Sequence, residues 1–151
     1  MRRVAELGSF GKCMSTPLSS ERIEKALRRV LHKQGFQLSK ARAHGETGVD
    51  VVAERAGHVI HIEVIAYKRS GPARTKDFCE GVMRSLSRLD TGAERCVLAM
   101  PEQFAVGMAQ RAAHYRTAWK RMTLAFPEFS LWLVDCTAGG YRECKLTDWV
   151  T

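Results

Sequence analysis

GVDVVAERAGHVIHIEVIAYKR, residues Gly48 to Arg69, reads as two β-strands joined by a tight turn. VDVVAE is rich in β-branched residues, RAGH carries Gly57 for the turn, and VIHIEVIAY is a longer, largely apolar run. Such a run belongs to a strand covered on both faces. Asp50 heads the first strand, and Glu63 interrupts the apolar run of the second. Burying an unpaired carboxylate is costly, so Glu63 needs an explanation. Antiparallel pairing across Ala56-Gly57 brings both carboxylates to one sheet edge, while Glu63 and Ile65 point the same way because side chains alternate along a strand. Adjacent carboxylates repel unless a cation neutralises them. A hard divalent ion with oxygen ligands, Mg²⁺ with Mn²⁺ as a substitute, would do so. It would also polarise a phosphodiester and generate a hydroxide nucleophile. The plainer account has Asp50 satisfying a turn and Glu63 paired with a Lys or Arg for structural reasons.

The flanking segments supply the rest of the domain. STPLSSERIEKALRRVLHKQGF opens with a helix that Ser19 or Ser20 caps, Glu21 suits in the first turn and Gly35 ends. Ile23, Leu27, Val30, Leu31 and Gln34 share one side of it. FQLSKA is a short strand before the ARAHGETG loop. After the Gly71-Pro72 break, TKDFCEGVMRSLSRLD is a helix with Phe78, Val82, Leu86 and Leu89 inward. CVLAM is a buried strand. PEQFAVGMAQRAAHYRTAWKRMTLAF is a long helix striped by Phe104, Met108, Ala112, Tyr115, Trp119, Met122 and Phe126. LWLVDC is the next strand, and GGYRECKL a peripheral one. The order α-β-β-β-α-β-α-β predicts an α/β fold with a mixed central sheet flanked by helices. Residues 16–151 are expected to form a single domain behind a flexible tail, residues 1–15, and Met14 is an alternative natural start.

With 151 residues, 45% hydrophobic and 26% charged, the chain has the composition of an ordinary globular domain. Its 24 Lys and Arg exceed 16 Asp and Glu, a net charge of +8 that favours a polyanionic partner. The five cysteines form no CxxC pair or Cys/His cluster, which argues against a zinc knuckle or disulfide scaffold and for a reducing, cytoplasmic setting. No apolar run approaches membrane-spanning length, and no signature calls for an organic cofactor. Positive charge concentrates in helix one and its exit, through Lys40 and Arg42. It recurs in YKRSGPARTK, with Lys68, Arg69, Arg74 and Lys76, and around Arg111 to Arg121. Such cations read phosphate rather than base identity, as expected for structure-selective or weakly sequence-specific binding of duplex or branched DNA. His61 shares the strand phase of Glu63 and reads as a core or supporting histidine, His44 as a loop residue that touches DNA or nothing, and Tyr115 and Trp119 as packing.

GF, TGVDVVAE and HIEVIAYKRSGPARTKDFCEGV together resemble the PD-(D/E)xK nuclease superfamily, the restriction endonuclease-like fold. The pattern is closest to Mrr-type restriction enzymes and archaeal Holliday junction resolvases. The resemblance covers roughly residues 21 to 100 and implies a core of helix, three-stranded meander, helix and strand. It further implies a metal-dependent DNA endonuclease with Asp50 and Glu63 as Mg²⁺ ligands. A first-helix glutamate completes the site, Glu24 by counting back from GF, with Glu21 as runner-up. The family often works in pairs, which leaves a homodimer open.

The departure from the pattern is at Ile65. The family's catalytic lysine should stand there, in E-x-K, and here the motif reads EVI. An isoleucine neither orients water nor stabilises charge on a phosphate. Lys76, in the helix that follows, and Lys68, near the strand end, are the candidates for a relocated cation. The alternative is a nuclease-fold DNA-binding module, or a subunit of a nucleoprotein complex, that lost catalysis with its lysine.

Overall fold

The computed structural model describes residues 16–43 and 46–151; the expected tail, Met14 and His44 lie outside the described residues. Three helices and six strands follow one another as α1 (Ser20–Lys33), β1 (Gln37–Leu38), β2 (Val51–Arg55), β3 (His58–Val64), α2 (Gly71–Ser87), β4 (Arg95–Pro101), α3 (Ala105–Ala125), β5 (Phe129–Val134) and β6 (Tyr141–Cys144). The strands form one mixed sheet in sequence order, β1 to β6. The first three strands pair antiparallel, β3, β4 and β5 run parallel, and β6 returns antiparallel. This is the α/β, restriction endonuclease-like order expected from the sequence.

Side-chain alternation divides the core into two layers. Ile60, Ile62 and Val64 of β3 face α1, meeting Ile23, Leu27 and Leu31 together with Val97, Ala99 and Trp132. On the other face Ile65, Leu98, Met100, Leu131 and Leu133 pack against Phe78, Val82 and Leu86 of α2 and Met108, Ala112 and Trp119 of α3. Each helix therefore buries one stripe, and both faces of the central strands are covered. The largest single contribution to stability comes from removing these apolar surfaces from water.

Ala56 and Gly57, with φ of 52° and 79°, make the β2–β3 turn. Positive φ at both central positions is the two-residue hairpin geometry that matches strand twist. That turn fixes the register Arg55 with His58 through Val51 with Ile62.

Three local expectations need correction. The β3 strand ends at Val64, and Tyr67 instead bridges to Leu18. Helix α2 begins at Gly71, earlier than the Gly-Pro pair implied, because Pro72 sits in the first turn, where a missing N–H costs nothing, and Ser70 caps it through Ala73 N. Tyr115 sits at a kink in α3 rather than in regular helix (φ −109°, ψ 20°), and its side chain is 37% exposed, although its ring still stacks on Trp119 at 6.3 Å.

Candidate functional site

The hairpin register sets the site. Val51 pairs with Ile62, so the next rung outward sets Asp50 against Glu63. Both lie on the face that carries Ile65, opposite α1. Asp50 Oδ2 accepts a hydrogen bond from Val64 N at 2.8 Å, which ties the start of β2 to the end of β3. Asp50 Oδ1 pairs with Arg42 Nη2. Glu63, 2% exposed, accepts from Arg88 Nε at 2.7 Å, and Arg88 Nη2 also reaches the carbonyl of Gly48 at 3.1 Å. Two carboxylates thus meet two guanidiniums in a formally neutral quartet.

Burial pushes the Glu63 carboxyl above its ordinary range; the Arg88 hydrogen bond opposes this, and the nearby Asp50 charge reinforces it. His61, on the same face, has its pKa lowered first by burial and then by Arg88, and its Nδ1 is buried without a partner. The imidazole is therefore held toward its neutral form.

The other sequence-derived residues are dispersed. Glu24 bonds Arg28 Nε at 2.8 Å, and Arg28 in turn donates to the carbonyls of Ser39 and Asp50. Because α1 packs on the opposite sheet face, Glu24 reaches the pair only through that arginine. Glu21 is exposed in the first turn of α1. Lys68 pairs with Asp77 at 2.9 Å. Lys76 is 74% exposed beside Glu80, and the earlier start of α2 moves it into the second turn. Ile65 is 3% exposed and lies under Gly81 of α2. Lys40 and Arg69 are exposed, whereas Arg74 folds back onto the carbonyls of Lys68 and Arg69. Sequence reasoning allowed a structural cation for Glu63 but did not find Arg88. The available signal was the demand for a counter-charge, and nothing in the local spacing says which arginine meets it.

A resident Mg²⁺ does not fit this arrangement. The hard oxygen donors are present, but each carboxylate already holds a guanidinium, and a dication between them would face both positive charges. Among the described residues no group of three His, Cys, Asp or Glu side chains is placed to hold a metal ion.

A mixed six-stranded sheet with flanking helices and an Asp–Glu pair at the end of its central hairpin defines a restriction endonuclease-like protein. A family model described as restriction endonuclease, the Mrr-type catalytic domain, matches residues 16–125, and the chain belongs to that family. Two solved structures are similar to it. One is an XisH family protein from Nostoc punctiforme, at 17% identity and a TM-score of 0.46, covering 76% of this chain and 91% of that one. The other is an fdxN element excision controlling factor protein from Anabaena variabilis, at 16% identity and a TM-score of 0.47, covering 77% and 92%. No curated protein sequence matches the chain.

Proposed function

We propose that this protein binds DNA through a nuclease fold whose hydrolytic centre has been replaced by an arginine-neutralised carboxylate pair. One observation carries the reading: Arg42 and Arg88 occupy Asp50 and Glu63, while the position of the family lysine is the buried Ile65. Lys68 and Lys76 each pair with a carboxylate of α2, at 2.9 Å to Asp77 and 3.9 Å to Glu80. The net charge of +8 and the exposed Lys40 and Arg69 supply the attraction for a phosphate backbone. The Arg42 and Arg88 pairs then serve to hold the loop before β2 against β3, so that a negative centre does not repel the bound strand. The bound DNA is duplex or branched and is recognised by shape and phosphate more than by base sequence.

The test measures binding and cleavage together. Fluorescence anisotropy with duplex and four-way-junction DNA should give salt-sensitive binding. Supercoiled plasmid with Mg²⁺ or Mn²⁺ should remain uncut at the level of Asp50→Ala and Glu63→Ala. Metal-dependent nicking by the parent that both substitutions abolish would overturn the proposal.

A second reading, a Mg²⁺-dependent endonuclease with Asp50, Glu63 and Glu24 as its acidic residues, is favoured by the juxtaposition of Asp50 and Glu63 on one face. It requires Arg42 and Arg88 to leave the carboxylates when DNA binds. Lys76, or Lys68, would then have to reach the phosphate. Nicking that is lost in Lys76→Ala while binding survives would select this reading.

A further inference from the structure

Away from the carboxylate pair, the start of α2, α3 and the segment before it line an open cavity of about 700 Å³. Its walls include Arg74 and Thr75 from the first turns of α2, and Gln103, Gln110, Arg111 and Tyr115 from α3 and the segment before it. Among the described residues no aspartate or glutamate lines it. Arg88 follows the other end of the 17-residue helix α2, roughly 25 Å along it at 1.5 Å per residue. The cavity is therefore separate from the site described above.

Arg74 and Arg111 both line it. Arg111 lies over the rings of Phe78 and Phe104, with its Cζ at 6.0 and 5.7 Å from their centroids, and touches Thr75 Oγ1 at 3.4 Å. Its Nε is buried with no hydrogen-bond partner. Arg74 stacks on Tyr67 at 4.8 Å and is fixed from behind by the carbonyls of Lys68 and Arg69. Burial first, and then the Arg74 charge, makes the Arg111 guanidinium easier to deprotonate than usual. Two like charges that act on each other, in a cavity lined by no carboxylate, cost free energy that an anion would recover. Gly107 makes room for this: a Cβ there would stand 2.5 Å from Arg111 Nη1.

The kink at Tyr115 adds the second half of the recognition. It leaves Tyr115 37% exposed among the lining residues, which include Gln103 and Gln110, with one side of its ring stacked on Trp119 at 6.3 Å. Guanidiniums match phosphate oxygens in geometry and charge. An accessible tyrosine face accepts a planar base. The volume is within the range of small-ligand sites.

We propose that this cavity binds a nucleotide, with its phosphate between Arg74 and Arg111 and its base against Tyr115. The nucleotide comes either free or as the phosphorylated end of a DNA strand. Isothermal titration of the full chain with inorganic phosphate, with dAMP, and with one oligonucleotide with and without a 5′-phosphate tests this. Saturable dAMP binding, tighter than inorganic phosphate, is expected. Arg111→Met, which keeps the contact with Phe78 and Phe104, should weaken it about tenfold or more. Gln110→Glu, at an exposed position, should weaken it without touching the core. A 5′-phosphate-dependent gain for the oligonucleotide that Arg111→Met removes identifies a strand end as the source; binding of dAMP alone identifies a free nucleotide. Absence of saturable binding by all probes, or affinities unchanged in both variants, overturns the proposal. Duplex binding through Lys40 and Arg69 is measured separately, so either idea can fail without the other.

Discussion

Glu63 is the residue on which the fold's history and its present chemistry meet. Its carboxyl is buried, its pKa is raised, and Arg88 is the group that keeps it ionisable. A raised carboxyl pKa means the folded state binds more protons than the unfolded chain. Stability then falls as pH rises from the ordinary value of 4.5 through the raised folded value. Urea unfolding of the parent and of Glu63→Gln across that window should show this slope in the parent and lose it in the variant. Parallel pH profiles would mean that Glu63 is already fully compensated. Arg88→Ala leaves the buried charge beside Asp50 without its partner, and should cost about 3 kcal/mol at pH 7. The loss should shrink at low pH, where Glu63 accepts a proton. The two carboxylates were legible because an acid inside VIHIEVIAY conflicts with its surroundings and strand alternation fixes its face. The two guanidiniums were not, because an arginine reaches its partner through a long side chain from elements whose placement local spacing does not reveal.

Helix α2 connects both sites and was only partly readable. Its apolar positions Phe78, Val82 and Leu86 declared a helix, and all three are buried. Its start was obscured because Gly-Pro reads as a break, although proline is favoured at the beginning of a helix. Gly81 was not singled out, yet it packs closely against the sheet. A Cβ there would lie 2.8 Å from Leu98 Cδ1 and 3.0 Å from Ile65 Cγ2. Gly81→Leu should therefore lift α2 off the sheet and cost about 2 kcal/mol by overpacking, despite leucine's better helix propensity. A thermal midpoint equal to or above the parent's would show that the interface relaxes freely. The same contact explains why Ile65 is no neutral vacancy for a lysine: Ile65→Lys would press an ammonium into this apolar layer, with a large loss of stability. In α3 the periodicity of the sequence carried Tyr115 into the stripe, because a pattern of apolar residues cannot show a kink that turns one of them outward.

For the molecule as a whole, the excess of positive charge predicts how binding should respond to salt. Element order and the mixed sheet followed from alternation and helix periodicity, which are repeated over many residues, and the family from the resemblance carried by one degenerate motif. Where each charge points was not legible, because long side chains turn toward partners that local spacing does not reveal: Arg42 toward Asp50, Lys68 toward Asp77, and Arg74, through Nη1, toward backbone carbonyls. Lys40 and Arg69 remain exposed, on the loop before the carboxylate pair and on the segment leading into α2. Each phosphate contact contributes about 0.9 to the slope of log affinity against log salt. Lys40→Glu and Arg69→Glu should each weaken duplex binding to a similar extent on unrelated sequences and lower that slope by about 1. Arg111→Met, inside the separate cavity, should leave the duplex slope unchanged. The measurement is affinity at several salt concentrations on two duplexes of different sequence. Equal slopes for the parent and both charge reversals would move the DNA away from this surface, toward the exposed cations Arg116, Lys120 and Arg121 of α3, whose reversal would then have to lower the slope instead.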